Sequence, residues 1–190
     1  MCNVKSFELE SEMENKLIDQ LINGESQWTY RPDLRNEEAL WDNFRKILTR
    51  NNKDKLNDVP LTDTEFDQVK TQLNFGSFYR AAEWLKGENG IAQVLVQRED
   101  SKLGKISLTV FKSQDISGGI SVYEVINQYA SSKRDEQDRN RRFDVTLLIN
   151  GLPLIQIELK NRSEGYMAAF EQIKKYSNEG KYTGIFSMLQ

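Results

Sequence analysis

Histidine is missing from all 190 residues, and the chain has one cysteine and three prolines. Without imidazole, Ser-His-Asp and Cys-His nucleophilic sites, HExxH metalloproteases and hydrolases with a histidine general base are excluded. A single thiol, Cys2, allows neither an intrachain disulfide nor a Cys/His zinc site. No apolar run approaches the roughly 18 residues of a membrane helix, and Met1 to Glu8 lack the charged-then-apolar pattern of a signal peptide. These absences point to a cytoplasmic protein without a membrane partner. What remains is 38% hydrophobic and 29% charged, with a net charge of −3, the composition of one globular domain with a real core. Any acid–base or metal chemistry falls to carboxylates, lysine and tyrosine.

The first half reads as helical. Leu9, Met13, Leu17, Ile18, Leu21 and Ile22 recur at helical spacing between about Phe7 and Ile22, ahead of Gly24. A second helix is expected from about Glu37 to Thr49, burying Leu40, Trp41, Phe44 and Leu48. Thr62-Asp63-Thr64-Glu65 is a capping box, with Leu61 and Phe66 at the positions of a hydrophobic staple. A short helix from Phe78 to Lys86 precedes Gly87. After Gly90 the period becomes strand-like, over Ala92 to Gln97, Lys105 to Phe111 and Val122 to Tyr129. Tyr182 to Gln190 begins as a further strand and stops there, so the 190 residues are expected to form one domain cut from a longer chain.

Residues 143 to 160, FDVTLLINGLPLIQIELK, form two apolar runs around Asn150-Gly151, a β-hairpin signature. A plain two-residue turn pairs Ile149 with Leu152 and sets Asp144 against Ile157. Alternation requires otherwise, because cross-strand partners share a face and the apolar faces match only when odd residues pair with odd. An odd-length loop or a bulge is therefore expected, with Gly151 left-handed. Asp144 then faces Glu158, with Lys160 two residues along. Carboxylate oxygens and the Leu159 carbonyl suit Mg²⁺, or Mn²⁺ in its place. Such an ion acidifies a water and neutralises charge on phosphate oxygens. As a bare pattern, Asp…Glu-x-Lys is short and equally describes an exposed charge pair; its setting in a buried apolar strand favours a purpose.

A helix from Glu164 to Asn178 follows, with Gln172 and Tyr176 one turn apart. They either decorate a polar surface or reach the phosphate or a metal-bound water. Glu14 falls on the apolar stripe of the first helix, where it is either an exposed edge residue or a carboxylate aimed into the sheet; Glu10 is the second choice.

Asp144, Glu158-Leu159-Lys160 and Gln172-x-x-x-Tyr176 resemble the PD-(D/E)xK nuclease superfamily. More narrowly, RFDVTLLINGLPLIQIELKN with the Gln/Tyr helix is similar to the N-terminal endonuclease domain of the R subunit of type I restriction enzymes, although Phe143 stands where the superfamily has proline. The resemblance implies an α/β, restriction-endonuclease-like fold, a mixed central sheet flanked by helices with a helical insertion after the first helix. It implies catalytic roles for Asp144, Glu158 and Lys160, support from Gln172 and Tyr176, and metal ligation by Asp144, Glu158, Leu159 and Glu14. The activity implied is that of a type I site-specific deoxyribonuclease, cutting unmodified duplex DNA with Mg²⁺. ATP would serve a motor on the full-length subunit, since no GxxxxGK[ST] occurs here. Modification (methyltransferase) and specificity subunits would be the partners. A catalytically silent DNA-clamping or docking module and a stand-alone structure-specific nuclease are the alternatives.

DNA contact can be local despite the acidic total. Lys133, Arg134, Arg139, Arg141 and Arg142 crowd the approach to Asp144, and Arg162, Lys174 and Lys175 lie downstream. Of these, Arg139, Arg141, Arg142, Arg162 and Lys174 are the chosen phosphate contacts. A solvated mixed-charge loop is the plainer account. Phosphate contacts hold DNA without reading sequence.

Overall fold

The computed structural model describes residues 9–26, 28–115, 119–131, 141–161 and 165–189. Helix α1 (Glu10–Asn23) leads into a two-residue strand β1 (Thr29–Tyr30), followed by four helices: α2 (Glu37–Asn51), α3 (Lys53–Leu56), α4 (Asp63–Gln72) and α5 (Phe78–Lys86). Then come β2 (Ile91–Gln97), β3 (Lys105–Lys112), β4 (Tyr123–Ala130), β5 (Arg142–Ile149), β6 (Leu152–Ile157) and α6 (Tyr166–Asn178). The main sheet has the order β1-β4-β5-β6, with β1 parallel to β4 and the other pairs antiparallel. Strands β2 and β3 form a separate antiparallel ribbon. This is the expected mixed α/β architecture, with α2 to α5 as the helical insertion.

The central strands β4 and β5 of the main sheet are buried on both faces. Ile18 of α1, with Leu17, Leu21 and Ile22 against it, covers Val125, Val145 and Leu147. The larger core gathers Leu40, Phe44 and Leu48 of α2, Phe66 and Val69 of α4, Leu108 and Val110 of β3, and Ile126 and Leu148 of the main sheet. Phe143 departs from the simple alternation that would group it with Val145. It joins the larger core, in ring contact with Tyr129, Tyr176 and Phe186. Beside it in β4, Gln128 has a positive φ of 51°, so the ladder is irregular where the face changes.

Polar side chains stitch the layers together. The capping box forms, Glu65 N–H donating to Thr62 Oγ1 at 3.2 Å and Thr62 N–H to Glu65 Oε2 at 3.0 Å. On the same helix, Gln68 and Gln72 act as a substitute strand. Gln72 Nε2 donates to the Leu95 carbonyl at 2.7 Å and its Oε1 accepts from Leu95 N–H at 3.0 Å. Gln68 repeats this with Gln97, both bonds at 2.9 Å. The free edge of β2 is thereby closed.

The expectation of a strand beyond Tyr182 is corrected. Residues Gly184–Met188 form a 3₁₀ turn that buries Ile185, Phe186 and Met188. Apolar residues there are adjacent rather than alternating, and Gly184 takes a left-handed φ of 57° with Glu37 packed against it. The expected helix start at Phe7 lies outside the described residues.

Candidate active site

The turn of the β5–β6 hairpin has two residues, Asn150 and Gly151, both left-handed at φ 52° and 80°. A Cβ on Gly151 would stand 2.9 Å from the Phe44 Cα, so glycine serves both conformation and close approach. Ile149 pairs with Leu152 and Leu148 with Pro153; the register then shifts, and Leu147 pairs with Ile155 and Val145 with Ile157. Leu154 is thus the extra residue of a bulge, and the shift restores odd-to-odd pairing. Carried one step beyond the last pair, Val145 with Ile157, this register sets Asp144 against Glu158.

The backbone beyond β6 fixes this pair. Leu159 N–H donates to Asp144 Oδ2 at 2.9 Å. Each Glu158 oxygen receives a glutamine amide: Oε1 from Gln156, and Oε2 from Gln172 Nε2 at 2.6 Å. Gln172 also donates to Tyr176 Oη at 2.5 Å, and Tyr176 donates in turn to the Arg142 carbonyl at 3.0 Å. Burial, and next the charge of Asp144, push the Glu158 carboxyl up to about 7. Burial, with Glu158 second, pushes the Tyr176 phenol up to about 12. Two carboxylates are therefore held together in a setting that favours an added positive charge.

Helix α1 contributes at two heights. Glu10 lies 3.7 Å from Lys160 Nζ and accepts from Asn161 N–H at 3.2 Å, tying down the segment after Glu158. Glu14, 7% exposed, is aimed into the sheet, where Asn127 donates to Oε1 at 2.6 Å and Gln128 to Oε2 at 2.5 Å. Gln128 sits between the pairs Asn127–Val145 and Tyr129–Phe143, level with Asp144. No three His, Cys, Asp or Glu side chains gather tightly enough for an ion among the described residues. The hard oxygens on hand for a cation are those of Asp144 and Glu158. That set fits Mg²⁺, which keeps several waters and uses one or two carboxylates.

The expected DNA-contact residues differ in state. Arg141 forks onto Glu179 through Nε at 2.6 Å and Nη2 at 2.5 Å. Arg142 is exposed and reaches Gln128 Oε1 at 3.2 Å. Lys174 is exposed, 3.1 Å from Glu171 and over the Phe170 ring. Lys133, Arg134, Arg139 and Arg162 lie outside the described residues. Sequence reasoning missed Gln156, although its place two residues before Glu158 on one strand was a usable signal. Gln128 carried no such signal, since its role depends on a positive φ and on α1.

Comparison with known proteins places the chain in a family. Residues 7–190 match the model of the type I restriction enzyme R protein N terminus. The type I restriction enzyme SauCOLORF180P endonuclease subunit of Staphylococcus aureus (strain COL) is 34% identical over 185 residues, 97% of this chain and 18% of that protein. The SsaAORF53P endonuclease subunit of Staphylococcus saprophyticus matches to the same extent. The EcoprrI endonuclease subunit of Escherichia coli is 29% identical over 98% of this chain and 55% of its own length. The chain thus spans less than a fifth of the staphylococcal subunits. A match over nearly the whole chain establishes that it belongs to the family of type I restriction enzyme R protein N-terminal regions.

Proposed function

We propose that this chain is the nuclease domain of a type I restriction enzyme, hydrolysing phosphodiester bonds of unmodified duplex DNA with Mg²⁺ or Mn²⁺. The observation that carries this reading is a hairpin register that sets Asp144 against Glu158, each carboxylate held by its own donors and close enough for the charge of one to act on the other, with Lys160 two residues along. Asp144 and Glu158, with the Leu159 carbonyl, would hold the cation. When bound, it would acidify a water and neutralise charge on the phosphate oxygens. Leu159 N–H keeps Asp144 in place, and the two glutamine amides keep Glu158 turned toward it. Lys160, held by Glu10, offers its ammonium to the developing phosphate charge. Glu14 acts through Gln128, fixing the strand beside Asp144. Arg142 and Lys174 supply exposed charge for the DNA backbone, which suits a domain that reads no sequence. Target choice would then rest with specificity and modification subunits, and DNA delivery with an ATP-driven motor.

The test uses the complete enzyme. Asp144→Ala and Lys160→Ala should each abolish DNA cleavage while ATP hydrolysis continues. Cleavage retained in either variant overturns the assignment.

A further inference from the structure

Three side-chain atoms beside the site are buried without a hydrogen-bond partner: Gln156 Oε1, Tyr182 Oη and Thr146 Oγ1. They are chemically complementary. Two are hydroxyls that can donate, and the third is a carbonyl that can only accept. Thr146 stands directly opposite Gln156 in the β5–β6 ladder. Tyr182 is half-buried, its ring 6.0 Å from Phe143 and 5.8 Å from Phe78. Its phenol is pushed far above the ordinary range, by burial first and then by the charge of Glu158, while the neighbouring Gln156 side chain acts in the opposite direction. Buried polar atoms seldom stay unpaired, because the full desolvation penalty then goes uncompensated.

Gln156 matters because its amide nitrogen donates to Glu158 Oε1. An amide has one donating and one accepting end, and a flip would turn its carbonyl oxygen toward the carboxylate. Whatever occupies the carbonyl end therefore decides what Glu158 meets. On the other side of Glu158 the same task has a visible solution, since Tyr176, bonded to the Arg142 carbonyl, receives the Gln172 amide that also serves Oε2.

We propose that Tyr182 is a positioning residue of the nuclease site: its hydroxyl, joined by that of Thr146, donates to Gln156 Oε1 and so locks the Gln156 amide with its N–H toward Glu158. The site then has two tyrosine–glutamine arms, Tyr176–Gln172 and Tyr182–Gln156, one for each oxygen of a single carboxylate. The proposal rests on the nuclease reading above, with Glu158 as a metal ligand.

The experiment measures Mn²⁺ affinity by electron paramagnetic resonance on the complete enzyme without nucleotide, alongside DNA cleavage and the thermal unfolding midpoint. Tyr182→Phe keeps the ring contacts and removes the hydroxyl. It should weaken Mn²⁺ binding at the site roughly tenfold with an unchanged midpoint. Gln156→Leu should weaken it at least as much, and the double variant no further than Gln156→Leu alone, because the tyrosine acts through the glutamine. If Tyr182→Phe lowers the midpoint, Thr146→Val takes its place, with a smaller loss expected in the same direction. Wild-type affinity in both hydroxyl deletions, or losses that multiply in the double variant, overturns the proposal. Mn²⁺ binding unaffected by Glu158→Ala would instead overturn the nuclease reading itself.

Discussion

Glu65 and Arg98 are 1% and 4% exposed and meet at 2.9 Å, far from the candidate site in sequence. Glu65 also accepts from Glu99 N–H at 2.8 Å and Thr62 N–H at 3.0 Å, while Arg98 donates to the Val59 and Pro60 carbonyls at 3.2 Å. One carboxylate thus serves as helix cap and buried counter-ion together. Burial pushes its pKa up, but the backbone donors and Arg98 outweigh burial and hold it below the usual range. A depressed carboxyl contributes stability above its unfolded pKa, about 4.3, and loses it as pH falls through the folded value. Arg98→Met, which strands the buried charge, should cost about 3–5 kcal/mol in urea unfolding at neutral pH. Glu65→Gln should also destabilise, yet its stability should fall less steeply than wild type below about pH 4. The capping box showed Glu65 as a helix residue; its partner 33 positions on could not be read from spacing.

The hairpin is the element that brings the chemistry together, and it was largely legible. Asn-Gly marked the turn and alternation demanded the even register, so Asp144 could be set against Glu158 before any coordinates. The location of the bulge at Leu154 was not legible, because a turn and a bulge can satisfy the same alternation. Removing Leu154 should leave a regular two-residue hairpin with every other pair intact. Its deletion should therefore preserve DNA cleavage within about tenfold, at a stability cost of roughly 1–3 kcal/mol for a packed leucine, read by cleavage assay and thermal unfolding. Cleavage lost as fully as in Asp144→Ala would mean that the bulge itself shapes the site. In α6, four-residue spacing placed Gln172 and Tyr176 together, and the structure bonds them. Elements held by distant partners escaped detection. Strand β1 is two exposed residues whose strand character comes from pairing with β4. The last turn was misread because Ile185, Phe186, Met188 and Leu189 match neither period, and an apolar run alone does not separate strand from helix.

At the scale of the whole molecule, Asn150 joins the ribbon to the main sheet. Its backbone N–H donates to the Val122 carbonyl at 2.8 Å, its Oδ1 accepts from Val122 N–H at 2.9 Å, and its Nδ2 donates to the Val110 carbonyl at 2.9 Å. Asn150→Ala removes both side-chain bonds and strains a left-handed position, which should cost about 2–4 kcal/mol. Denaturant unfolding should report that loss, and hydrogen exchange should show Val122 N–H opening first. The glutamine pair of α4 has a consequence of another kind. A β-ribbon with an open edge is a template for the strands of neighbouring chains, and the hazard is greatest while a protein is still being made. Here residues 63–72 are synthesised before residues 91–97, so the glutamines that close the β2 edge leave the ribosome ahead of the strand they cover, and the vulnerable edge emerges with its guard already waiting.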